Sequence, residues 1–267
     1  YMLGNGTVFV ACGLEHMTRE PWQLEKTSVP YQRTGPGCMP TKVSIYTDGL
    51  DRMGMTAERI AAEYGLSRTD LDAFALDSHR KAARAQARGA FREQILPITL
   101  RDRKGKEFVV DTDEAVRPNL TMEQLAKLRP AFLKDGLVTA GNACPWSDGA
   151  SAVVLMSESR ARELGIQPMG VVISFAVSGL DPALMGLGPI YAVPKALKRA
   201  GLTIQDMDVV ELNEAFAAQA IPCMAGTRHY RRAGEPQRRR HLPWDIRWAL
   251  PARCSPRSWS TICGIGI

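Results

Sequence analysis

No apolar run in the 267-residue chain reaches the roughly 18 residues that a membrane-crossing helix needs, so no membrane partner is expected. No basic-then-apolar leader pattern opens the chain. It begins with tyrosine rather than methionine, and a fragment of a longer protein is expected. The six cysteines are scattered, with no CxxC pair and no zinc-type spacing. That argues against a bound metal and for a reduced, cytoplasmic compartment. Histidine is scarce, at four residues. His16 and His229 have no motif around them, and His79 falls inside a helical pattern as a surface or cap residue. Lysine is missing altogether from Thr227 onward, where nine arginines face two acids, for 9 − 2 = +7. The body therefore carries (34 − 9) − (28 − 2) = −1, and the formal net charge of +6 belongs to the tail alone. An Arg-rich tail on an acidic body, without a recognised module, argues against a nucleic-acid partner.

What is present is a rhythm of strands and helices. Thr7 to Val10 read as a strand that Gly13 can end. Residues 18 to 55 hold Pro, Gly and polar residues without a period and read as a long excursion. Helices follow. "TAERIAAEYGL" puts Ile60, Ala61 and Tyr64 on one face. In "SRTDLDAFALDSHRKAARAQARG", Ser67 and Asp70 form a capping signature, Leu71 and Phe74 begin a buried stripe, and Gly89 is a stop. "KEFVVDTD" is β-like, and "TMEQLAKLRPAF" carries a T-x-x-Q cap and ends against Pro130.

"GASAVVLMS" is nearly continuous in apolar residues, which predicts a strand buried on both faces. "SESRARELG" is a capped helix ending at Gly165. "GVVISFAVSG" is strand-like, and "YAVPKALKRAG" is a helix in which Pro194 fits only the first turn. "DVVELN" is a strand and "EAFAAQAI" a helix. This alternation predicts an α/β fold with a parallel sheet, whose ligands bind beyond the carboxyl ends of strands. Asn213 lies at such an end, where a helix N-cap role is also open to it. Glu214 beside it suits a helix N-terminus.

"VVELNEAFAAQA" resembles the NEAF motif of thiolases, the acetyl-CoA acetyltransferases and their 3-ketoacyl-CoA relatives. "GLEHMT", "MGMTAERIAAEYGLSRTDLDAFALDSHRKAARAQ", "KLRPAFLKDGLVTAGNACPWSDGASAVVLMS" and "GLDPALMGLGPIYAVPKALKRAGL" are similar to further thiolase segments, in family order over about residues 1–226. The resemblance implies a fragment of the layered αβαβα thiolase fold with an inserted loop domain. By motif, residues 1–15 and 147–167 correspond to the end of the N-terminal half, 16–146 to the loop domain and 168–226 to the start of the C-terminal half.

It also implies chemistry. Joining two thioesters needs a thiol to hold one acyl group, and a base and oxyanion donors to form an enolate from the other. Asn213 matches the family asparagine, whose amide holds a water facing the thioester oxygen. Ala215 and Phe216 match positions lining the acyl or pantetheine channel. Met53 matches a methionine over the acyl pocket, with Arg52 where some members have histidine. Arg117 matches an arginine at the phosphate end of coenzyme A. Cys144 stands where many members have a pantetheine-contacting serine, and a thiol is the weaker donor. Acetyl-CoA or acyl-CoA is the implied substrate, no separate cofactor is expected, and a homo-oligomer is the implied assembly.

The family's N-R-x-C-G-S-G nucleophile stretch, its GHP histidine and its second cysteine have no match here. Cys12 reads as a buried small residue in a strand, and Cys38 lacks a matching context. The chain alone is therefore expected to be inactive. The tail from residue 227 has no apolar period. Regrouping the codons allowed for "PWDIRWALPA" into a shifted frame permits "LGHPLGATG", similar to the thiolase histidine loop, so a frameshifted, disordered tail over 227–267 is expected. A non-catalytic interaction fragment and an Arg-tail nucleic-acid binder are the alternatives.

Overall fold

The computed structural model describes residues 6–19 and 53–228. Two helices near its centre show how local sequence sets the fold. Helix α1 (Met53–Glu63) buries Ala57, Ile60 and Ala61. Helix α2 (Arg68–Ala87) starts at Ser67, whose hydroxyl accepts from the Asp70 amide while the Asp70 carboxylate accepts from Ser67 N–H. This reciprocal cap satisfies two end donors that would otherwise need water. Gly89, with φ +71°, supplies the left-handed residue past the helix end.

The other elements follow in order. Strand β1 (Val8–His16) precedes α1. After α2 come β2 (Ile98–Arg101), β3 (Glu107–Val110), α3 (Met122–Ala126), β4 (Asp148–Met156) and α4 (Glu158–Glu163). A 3-10 turn (Pro182–Leu187) leads into α5 (Gly188–Ala200), and α6 (Ala217–Arg228) closes the described region.

The core lies where α1, α2 and α6 meet the 137–143 segment. Ala57, Ala61, Leu71, Phe74, Val138, Ala217, Ala218, Ala220 and Ile221 form one cluster. Ile60, Leu187 and Cys223 form a second beside it. Large side chains such as Ile60 and Leu71, fully removed from water, contribute about 1.5–3 kcal/mol each.

Buried polar groups hold the 137–143 segment in place. The Glu58 carboxylate, 7% exposed, accepts the backbone N–H of Leu137 and of Val138 at 2.9 Å each. A Cβ on Gly136 would stand 2.2 Å from Glu58 Oε1, so only glycine admits this approach. Asn142 donates to Asp72 Oδ1 (2.9 Å) and to the Leu137 carbonyl (3.1 Å), and its own oxygen accepts from Thr139 N–H. Arg68 closes the network by donating to Asp72 Oδ2 at 2.7 Å.

Several expectations change. The first strand passes Gly13 and runs to His16. β1 pairs antiparallel with β4, from Val8 opposite Met156 to His16 opposite Asp148, and β2 pairs antiparallel with β3. Among the described residues no parallel ladder forms, and "GVVISFAVSG" and "DVVELN" make none. β4 is exposed rather than buried, and so is Cys12 on β1, whose only ladder among the described residues is with β4. An apolar run records that both faces suit apolar cover, but it does not record which element supplies that cover.

Two helix boundaries differ as well. α3 stops at Ala126, and the Arg68 guanidinium takes the carbonyl of Leu125 in its last turn and that of Leu128 beyond it. Pro194 lies inside α5, which starts earlier at Gly188 with its own proline in the first turn. The 227–267 tail falls almost wholly outside the described residues.

Candidate functional site

The site is built around the turn that enters α6. Residues 211–214 have no regular structure, and α6 begins only at Ala217. Asn213 is therefore not the helix N-cap. Its side chain is exposed, and its amide makes no hydrogen bond to another described residue. A polar amide excused from capping and from the core is free to face a ligand.

The backbone on the C-terminal side of Asn213 is fixed. Cys144 N–H donates to the Ala215 carbonyl and Ala217 N–H donates to the Asn142 carbonyl, both at 2.9 Å. Ala143 and Phe216 form an isolated antiparallel bridge. Cys144, Ala215 and Phe216 thus come together beside Asn213. The Cys144 side chain is exposed, while Ala215 and Phe216 are half-buried.

Aromatic packing brings in the start of α1. Phe132 meets Phe216 edge to face, with centroids 6.2 Å apart and an interplanar angle of 77°. A Cβ on Gly54 would lie 2.2 Å from the Phe132 ring. Glycine there lets α1 close on the ring and sets neighbouring Met53, 47% exposed, at the mouth of the same cluster. Phe132 was not singled out in the sequence, where it reads as one more apolar residue after α3.

Glu214 goes elsewhere than a helix N-terminus. Its carboxylate accepts from Ser78 Oγ on α2 at 2.7 Å. Burial raises its pKa above the usual carboxylate range, and Asp77 adds to this, while the Ser78 hydrogen bond and Lys81 pull it back.

One residue along α2, His79 Nδ1 accepts the Arg117 backbone N–H at 3.3 Å. Partial burial and the Arg117 charge push the His79 pKa down, in keeping with a neutral ring whose Nδ1 accepts. His79 is therefore a contact of Arg117, not a free surface residue. Arg117 itself is exposed.

Cys223, the buried cysteine, has its thiol pushed up to about 11 by burial, against hydrogen bonds from Gln219 and the Ile190 backbone. Burial thus disfavours the thiolate, the nucleophilic form, at neutral pH. Among the described residues no group of His, Cys, Asp and Glu could hold a metal ion, and no helix is long and apolar enough to cross a membrane.

Comparison with known proteins assigns this architecture. The thiolase N-terminal domain matches residues 2–159 and the thiolase C-terminal domain matches residues 166–230. The chain belongs to the thiolase family. A probable acetyl-CoA acyltransferase of Staphylococcus epidermidis is 44% identical over 224 residues, 82% of this chain and 56% of that protein. The peroxisomal 3-ketoacyl-CoA thiolase B of Rattus norvegicus is 46% identical over 228 residues, 83% of this chain and 51% of that protein. The structure of an acetyl-CoA acetyltransferase from Syntrophomonas wolfei superposes with a TM-score of 0.74 at 37% identity, over 85% of this chain and 57% of that one. The fold is that of an α/β thiolase, and the chain spans about half the length of the curated relatives it matches.

Proposed function

We propose that this protein takes part in thiolase-type acyl transfer between coenzyme A thioesters: two acetyl-CoA to acetoacetyl-CoA and coenzyme A, or the reverse thiolysis. Asn213 supplies the oxyanion element. The observation that carries this reading is its exposed, unengaged amide on a turn whose following backbone, from Ala215 to Ala217, is fixed. A donor held before charge develops costs no reorganisation during the reaction. Met53, Phe216 and Ala215 line the acyl and pantetheine path, with the Cys144 thiol as a weak contact along it. Arg117, held by His79, faces the phosphate end. No separate cofactor is invoked.

The halves and loop domain drawn along the sequence belong to this proposal, supported by the change of family model between residues 159 and 166. A cytoplasmic setting rests on the scattered cysteines. Homo-oligomerisation is supported by the apolar faces left open on β1, on β4 and over 171–177.

The test is a graft. Residues 2–226 replace the matching segment of the S. epidermidis relative, and thiolysis of acetoacetyl-CoA is assayed. Turnover is expected from the graft and none from the 267-residue chain alone. A folded graft that binds coenzyme A but turns nothing over, beside an active parent, would sink the reading.

A further inference from the structure

Asn213 sits on a segment without helix or ladder, so something else must fix its direction. On its C-terminal side the anchor is the 142–144 segment, which bonds Ala215 and Ala217 and hangs from Asp72 through the Asn142 amide. Between Asn213 and that anchor lies a second tether, the Glu214 carboxylate on the Ser78 hydroxyl, 136 residues apart in sequence. Asp72 and Ser78 both belong to α2. Six residues of helix separate them, a rigid span of about 9 Å. The turn carrying Asn213 is therefore fastened to one helix at two points.

We propose that Ser78 and Glu214 form a latch that positions Asn213, a role that rests on the oxyanion reading of that asparagine. The latch does two things. It removes rotational freedom from the residue next to the donor. It also holds a carboxylate, one residue from the donor, against α2 and away from the thioester oxygen. A carboxylate swinging free there would oppose the negative charge that the site must stabilise. The bond is charge-assisted and short, the stronger kind of side-chain hydrogen bond. Because His79 takes the Arg117 amide on the same turn of α2, one helix also relates the acyl end of the site to its anion end. Ser78 and Glu214 are positioning residues and touch no substrate in this account.

The test uses the full 267-residue chain and reads amide exchange and side-chain mobility by NMR. In Ser78→Ala, on a helix whose propensity the change does not lower, the Cys144 and Ala217 amides should exchange about tenfold faster, as for one net hydrogen bond lost. The Asn213 side-chain amide should become mobile and the unfolding midpoint should fall by no more than that one bond accounts for, while the amide shifts of 71–76 stay as in the parent. Glu214→Ala should match it, and the double variant should be no worse than either. Glu214→Gln, whose amide oxygen can still accept from Ser78, should restore the parent pattern. An unchanged Asn213 in Ser78→Ala, or no rescue by Glu214→Gln, overturns the latch. Turnover is not part of the readout, so failure of the acyl-transfer reading would leave these results as they are.

Discussion

Glu214 shows at the scale of one residue how position and chemistry trade against stability. Its folded-state pKa lies above the ordinary value of 4.5, chiefly through burial. The folded chain thus holds that proton more tightly than the unfolded chain. Between the two pKa values stability falls as pH rises, and above both the full penalty applies. Glu214→Gln removes the charge and keeps an acceptor. It should be more stable than the parent at pH 7 and equal to it near pH 3.5. Urea midpoints at the two pH values check this, and a lower midpoint for the variant at pH 7 would contradict it. Nothing local signals the Ser78 contact, because 136 residues separate the partners and no sequence pattern spans that interval. The same holds for His79 with Arg117 and for Phe132 with Phe216. Asn213 was legible because the motif around it is contiguous.

At the scale of elements, legibility follows the range of the interactions. The α2 and α3 starts were readable from Ser67 with Asp70 and Thr121 with Gln124, and both capping boxes are present. Each cap is closed within four residues, so its energy is written locally. Ser67→Ala should lower stability by about 1 kcal/mol and Ser67→Gly by only a few tenths, measured by denaturant unfolding. No loss in the alanine variant would mean that tertiary contacts alone fix the α2 start. The α3 end was not readable, since Arg68 on another helix takes its last carbonyls. The strands expected over 170–179 and 208–213 misled for a related reason. A strand needs a neighbour for its ladder, and sequence records only the suitability of its side chains.

For the described residues taken together, the helical cluster and the β1–β4 ribbon contrast. The α1–α2–α6 cluster is buried and fastened by Glu58, Asp72 and Asn142. The β1–β4 ribbon leaves Val10, Leu14, Val153 and Val154 exposed. The family assignment covers both regions, and the chain spans about half of its relatives' length. The central claim therefore belongs to a complete active site. In the graft that joins residues 2–226 to the rest of the S. epidermidis relative, the direct measurement is kcat and KM for acetoacetyl-CoA thiolysis with Asn213→Ala. Loss of one preorganised oxyanion donor predicts a fall in kcat of roughly a hundredfold or more, with KM little changed and the unfolding midpoint intact. Normal turnover in that variant would contradict the role assigned to Asn213.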